Sequence, residues 1–162
     1  MVAYRFEDSR GGACAEGHLA GFAGLLQVDG FSAYNRLAAT DRPGGPVTLA
    51  ACWAHLRRRF YELHVADFSR IATATVEQMS VLWAIEAEIR GKHPATRQAI
   101  RQARSAPVIA ALFSLWHTEL PRIPGKSKLA EAIRYATRHR AGLERFLADG
   151  RLDIDNNPVE RA

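Results

Sequence analysis

The sequence predicts an α/β chain in which a short strand-bearing start gives way to a long helical block, so that helix dominates overall. Three observations carry this. Val2, Tyr4 and Phe6 alternate with Ala3, Arg5 and Glu7, the period of a strand with one buried face. Residues 25–30 and 46–53 are short apolar runs bounded by turn residues, as inner strands are. From Ala54 onward, apolar residues recur at helical spacing with few interruptions.

Taken in order, residues 8–12 break the first strand, and 16–22 suit a short helix with His18, Leu19 and Phe22 near one side. The run 25–30 ends in Asp29 and Gly30; Phe31, Tyr34 and Leu37 follow at helical spacing before a Pro/Gly loop at 40–46. After the strand at 46–53, Leu56, Phe60 and Leu63 share one helix face while Arg57, Arg58 and Arg59 spread around the others. A long segment from about Ser69 to Arg90 bears the stripe Val76, Met79, Leu82, Trp83, Ile85 and Ile89, and Gly91 and Pro94 end it. Residues 95–104 are polar and basic, and Ser105 is placed to cap a helix bearing Val108, Leu112, Leu115 and Trp116, which Pro121 and Pro124 stop. Ser127 caps the next helix, with Leu129, Ile133 and Ala136 inward, and the pattern runs through Leu143, Phe146 and Leu147 to Gly150. The stripes containing Trp83 and Trp116 read as core. No internal repeat or low-complexity segment is present.

A length of 162 residues suits one domain, or a small core with an insertion. No apolar run approaches the roughly 18 residues of a membrane span, and no signal-peptide pattern opens the chain, so a cytoplasmic protein is expected. Cys14 and Cys52 make neither a disulfide framework nor a pair with zinc-ribbon spacing. The net charge of +5 and pI near 9.7 raise the local phosphate concentration without being diagnostic. The charge gathers at 57–59, 97–104 and 134–145, and each cluster taken alone reads as a solvated helix face.

Two places carry candidate chemistry. Asp29 closes an inner strand, and such strands deliver side chains rigidly to the sheet's end, where ligand sites form in open α/β sheets. The same Asp-Gly pair also suits a plain turn. Near the C-terminus Asn157 is a good N-cap, Pro158 fits the first helical position, and Glu160 falls three residues after the cap, where it can complete a capping box. A carboxylate tied to its own cap would have to swing away to hold a metal.

Four stretches together resemble the central domain of IS66-family transposases: 26–35 (LQVDGFSAYN), 51–60 (ACWAHLRRRF), 124–127 (PGKS) with 132–135 (AIRY), and 149–162 (DGRLDIDNNPVERA). The resemblance runs nearly end to end. It implies a DDE-type recombinase with a partial RNase H-like sheet and a large all-α insertion. On that pattern 1–56 is the partial α/β core, 57–150 the insertion, and 151–162 the start of the helix that bears the final glutamate. Three acidic residues of such enzymes hold two divalent ions, Mg2+ or alternatively Mn2+, which activate water or a DNA 3′-hydroxyl and stabilise the leaving oxygen. Asp29 matches the second acid and Glu160 the third. The first is expected on a strand upstream of this chain, which leaves the edge beside 25–28 exposed.

The resemblance makes DNA the expected partner, with self-association or other transposition proteins besides, and no membrane. Arg57, Arg58, Arg59 and Arg161 are candidates for phosphate contacts, since guanidinium pairs well with phosphate oxygens. His55 suits packing, a supporting contact behind the ligands, or a phosphate contact, while Asn156 and Asn157 set the entry of the glutamate's helix. A different reading is a catalytically inactive transposase remnant that binds DNA or a partner through its basic helices. Plainer still is a helical interaction module on a β-rich scaffold. The chain alone is expected to show no metal-dependent nicking.

Overall fold

A computed structural model describes residues 12–29, 32–39, 41–42, 44–67 and 69–156. The elements run α1 (Gly12–His18), β1 (Gly24–Val28), a 3-10 segment (Ser32–Ala38), β2 (Val47–Ala51), α2 (Trp53–Asp67), α3 (Arg70–Ile89), α4 (Pro94–Ile100), a π turn (Arg101–Ser105), α5 (Ala106–Glu119), a 3-10 turn (Leu120–Arg122), α6 (Lys128–Arg138) and α7 (Arg140–Ala148). Helix dominates, as the periodicity predicts. The strand expected at 2–6 and the helix start at 157–160 lie outside the described residues.

β1 and β2 form a two-stranded parallel sheet in register from Gly24 opposite Val47 to Val28 opposite Ala51. Parallel strands need a crossover, and the 3-10 segment with the Pro/Gly loop supplies it. Arg42 in that loop donates to the carbonyls of Phe22 (2.7 Å), Gly45 (2.9 Å) and Leu19. α1 covers 12–18 instead of the expected 16–22, and Arg42 binds the turn that follows it. Gly44 has φ +96°, and a Cβ there would stand 2.3 Å from the Ala20 carbonyl oxygen, so this turn requires glycine.

α7 covers the other edge of β2. Arg145 Nε donates to the Leu49 carbonyl at 2.8 Å, and a Cβ on Gly142 would lie 3.3 Å from the Ala51 nitrogen. Glycine at 142 thus lets the helix backbone approach the strand, and a covered edge offers no template for further pairing.

One apolar core joins sheet and helices, from Ala51, Trp53 and Leu56 through Phe60, Met79, Leu82, Leu112 and Ile133 to Leu143 and Ile154. Phe60 stacks on Trp116 at 5.2 Å, and Phe113 meets the same indole edge-on at 5.0 Å. The Trp116 indole N–H donates to Thr75 Oγ1 at 3.0 Å, which explains a wholly buried threonine on α3. Ser69 and Ser127 each accept an amide of the first helical turn, at 3.4 Å from Ala72 and 3.2 Å from Ala130, as N-caps do.

Ser105 does not cap a helix. Its backbone is helical, its side chain makes no capping bond, and residues 94–119 form one continuous helical run. Pro107 lies inside that run; it lacks an N–H, and its ring crowds the carbonyl four residues back. The π turn absorbs this by widening the helix, with the Ala106 N–H reaching the Arg101 carbonyl five residues earlier.

Candidate functional site

The C-terminal ends of β1 and β2 meet the run 153–156. The Cys52 amide donates to the Val28 carbonyl (3.1 Å), continuing the ladder one step past the strands. The Trp53 amide then donates to the Ile154 carbonyl (3.1 Å), and Gln27 Nε2 to the Asp153 carbonyl (2.8 Å). Ile154 is buried and belongs to the core. Apolar anchoring and two hydrogen bonds therefore hold this run against the strand ends, where parallel sheets present their ligand sites.

Asp29 is the first residue past β1 and is exposed. The Tyr135 hydroxyl, from α6, donates to its carbonyl at 3.2 Å. Burial raises the Tyr135 pKa; the Arg59 charge opposes that, and the Asp29 charge adds to it. Tyr135 is accordingly a neutral donor at ordinary pH.

Cys52 sits at the entrance to α2, 2% exposed. Burial raises its pKa, and the nearby charge of Asp155 acts in the same direction, although the backbone N–H groups of Asn156, His55 and Ala54 all point at the sulfur. The raised pKa keeps the thiol protonated near neutral pH, where it accepts from the helix start.

The three consecutive arginines of α2 point three ways. The Arg57 guanidinium carbon lies 5.7 Å from the Trp83 ring centre and 5.6 Å from that of Tyr61. Arg58 pairs with Glu62 at 3.2 Å in an exposed i,i+4 bridge. Arg59 lies over the ring of Tyr135 at 4.2 Å, the side chain whose hydroxyl donates to the Asp29 carbonyl. Trp83 is only half-buried, and its indole N–H donates to Asp155 Oδ2 at 3.1 Å. Its stripe reads as core, but this side chain serves the 153–156 run.

A clamp stands behind that run. Arg97 Nη2 donates to the Leu152 carbonyl (3.2 Å) and to Asp153 Oδ1 (2.7 Å), and lies 3.5 Å from Glu86 Oε2. Arg101, wholly buried, joins Glu86 to the end of α7. The basic stretch 97–104 therefore departs from its reading as a solvated face. Its two inward arginines pair with a carboxylate and with the carbonyls that end a helix, which charge patterning alone does not distinguish from a surface stripe.

Of the residues singled out from sequence, Asp29 and Asn156 lie by the strand ends and His55 near the start of α2, Arg57 and Arg59 are linked to that region through Trp83 and Tyr135, and Arg58 pairs with Glu62 instead. His55 is half-buried, one turn into α2. Asn156 is half-buried; its backbone N–H reaches Cys52, and its Oδ1 is buried without a hydrogen-bond partner among the described residues. Asn157, Glu160 and Arg161 lie outside the described residues. Among the described residues no three acidic, histidine or cysteine side chains cluster as a metal site would. No described helix is long and apolar enough to cross a membrane. Sequence reasoning missed Tyr135, Trp83 and Asp155. Tyr135 carries a signal only in hindsight, as a polar-tipped aromatic following the inward Ile133.

A family profile described as Transposase IS66 family matches residues 1–162. Among curated proteins, the uncharacterized proteins y4qI, y4jD and y4hP of Sinorhizobium fredii (strain NBRC 101917 / NGR234) are 55%, 41% and 32% identical to the chain. These alignments cover 100%, 99% and 98% of the chain but 31%, 32% and 31% of the relatives, so the chain spans about a third of their length. No solved structure matches it. With a family profile matched from end to end, the chain belongs to the IS66 family of transposases.

Proposed function

We propose that this chain supplies Asp29 and Glu160 as two of the three acidic ligands of a DDE-type transposase core, a cytoplasmic DNA-binding enzyme that cleaves and transfers DNA strands using divalent metal, Mg2+ or Mn2+. The observation that carries the reading is the return of 153–156 to the strand ends, through the bonds from Trp53 to Ile154 (3.1 Å) and from Gln27 to Asp153 (2.8 Å). The run that leads toward Glu160 thus starts beside Asp29. Carboxylate oxygens suit hard cations such as these. When bound, a pair of such ions activates the attacking oxygen and stabilises the leaving one.

The sheet supports an RNase H-like core. α7 closes the outer edge of β2, so further strands can add only beside β1, where the upstream acid of the family would arrive. Arg57 and Arg59 flank the strand ends and suit phosphate contacts, with self-association or other transposition proteins completing the assembly.

The test is strand cleavage by a transposase of the relatives' length with this chain as its core. Asp29→Asn and Glu160→Gln should each lower Mg2+- or Mn2+-dependent cleavage by about a thousandfold, the scale of several kcal/mol of lost charge stabilisation, with DNA affinity kept. Unchanged cleavage in either variant removes that residue from the ligand set. DNA binding that stays salt-dependent in a protein that never cleaves would favour the inactive binding module instead.

A further inference from the structure

Tyr135 belongs to α6, in the helical block, yet its side chain ends at the strand mouth. Asp29 is the first residue beyond the β1–β2 ladder, which closes with Cys52 donating to the Val28 carbonyl (3.1 Å). The ladder therefore does not hold the Asp29 carbonyl; the Tyr135 hydroxyl does, at 3.2 Å. The ring is itself fixed. His139 lies against it at 4.2 Å, and His139 Nδ1 meets the Tyr135 carbonyl at 2.9 Å. The Arg59 guanidinium carbon stands 4.2 Å from the ring centre, so a long, exposed side chain that would otherwise sample many rotamers is held to one side of α2.

We propose that Tyr135 is a positioning residue with two arms: its hydroxyl fixes the strand end that carries Asp29, and its ring aims Arg59 so that a phosphate held there lies beside Asp29. This rests on the reading of Asp29 as a metal ligand and Arg59 as a phosphate contact. It also gives the insertion a role at the site, because α6 carries the residue that sets the strand end.

The two arms separate by substitution. Tyr135→Phe keeps the ring and removes the hydroxyl; Tyr135→Leu removes both. Two readouts on the full chain distinguish them: Mn2+ binding by water-proton relaxation, and duplex-DNA binding by fluorescence anisotropy across a salt series. Tyr135→Phe should bind Mn2+ roughly tenfold more weakly, as loss of a supporting hydrogen bond behind a ligand does, with the salt slope of DNA binding unchanged. Tyr135→Leu should lose Mn2+ affinity in the same way and also lower the salt slope by about one, matching Arg59→Ala.

The proposal is overturned if Tyr135→Phe binds Mn2+ as the parent does while Asp29→Asn has lost it. It is equally overturned if Tyr135→Leu keeps the parent slope while Arg59→Ala lowers it, or if Tyr135→Phe disturbs both readouts, which marks a general structural loss. Should Asp29→Asn leave Mn2+ binding intact, or Arg59→Ala leave the slope intact, the underlying assignment of that residue fails, and the corresponding arm with it.

Discussion

Arg101 and Glu86 form a two-point ion pair inside the helical block, Nε to Oε1 at 2.7 Å and Nη2 to Oε2 at 2.6 Å, with the arginine side chain 0% exposed. The remaining guanidinium nitrogen donates to the carbonyls of Phe146 (2.9 Å) and Asp149 (3.3 Å), two of those that end α7. The Phe146 ring lies 5.0 Å from the guanidinium carbon. A single charge on the π turn thus links α3 to the end of α7 and so backs the run that returns to the strand mouth.

Removing one partner of such a pair leaves a buried charge unpaired, which costs about 3–5 kcal/mol, whereas replacing both by apolar groups of similar volume is often neutral. Glu86→Ala should therefore lower stability by that amount in urea denaturation. The double variant Glu86→Leu with Arg101→Met should recover most of it. A single variant that loses under about 1 kcal/mol would mean that water reaches the pair and that it does not organise the block.

Two glycines make a matched test of close packing. A Cβ at Gly142 would lie 3.2 Å from the Ala51 Cβ, a contact that a small shift of α7 relieves, and alanine in a helix interior gains roughly 0.5–1 kcal/mol over glycine. Gly142→Ala should change stability by less than about 1 kcal/mol. At Gly150 a Cβ would stand 1.8 Å from the Pro94 carbonyl oxygen, which is backbone and cannot rotate away. Gly150→Ala should cost about 3 kcal/mol or more, the upper range for overpacking, and melting curves of the two variants should separate clearly. Equal effects would show that 150 and α4 do not meet as described.

These relationships also mark what the sequence could convey. The strands at 24–28 and 47–51, the cap Ser127, and the inward faces of α2, α3 and α6 follow from local periodicity and turn chemistry and were legible, while Ser69 marked only where its segment begins. The cap expected at Ser105 failed because a serine after a polar stretch can equally sit inside a helix, and here the π turn that accommodates Pro107 carries the helix through it. The reading of Arg101 failed because its partners Glu86 and Phe146 are 15 and 45 positions away, so no window contains the pair. The place of Asp29 just past a strand was legible from the apolar run that precedes it. Tyr135 was not, because its bond to Asp29 spans 106 positions.

Thiol reactivity should divide the two cysteines. Cys52 is buried and its pKa is raised by that burial, so little thiolate forms and reagent has no path to it. Cys14 on α1 is partly exposed. In the native protein near pH 8, labelling should stop after one equivalent, with Cys52 at least about tenfold slower, and mass mapping should place the label on Cys14. Denaturant should release the second thiol. Rapid labelling of both would show that the entrance to α2 opens readily.

Acid should expose the loop that carries the chain from α7 to the strand mouth. The Asp149 carboxylate accepts from the Arg151 guanidinium (2.6 Å) and from the Arg151 amide (2.9 Å), and the guanidinium bond leads in lowering its pKa from 3.8 to about 2. With a folded value below the unfolded one, the unfolded chain binds more protons between those limits, so this contribution is fully present above about pH 4 and is lost as pH falls toward 2. The pair lies near the surface, so solvent screening keeps its contribution below about 1 kcal/mol. Arg151→Ala should therefore leave a slightly lower stability at pH 7 and a shallower loss between pH 4 and 2, measured by urea denaturation across that range. A steeper acid limb in the variant would reverse the sign and rule out Arg151 as the cause of the shift.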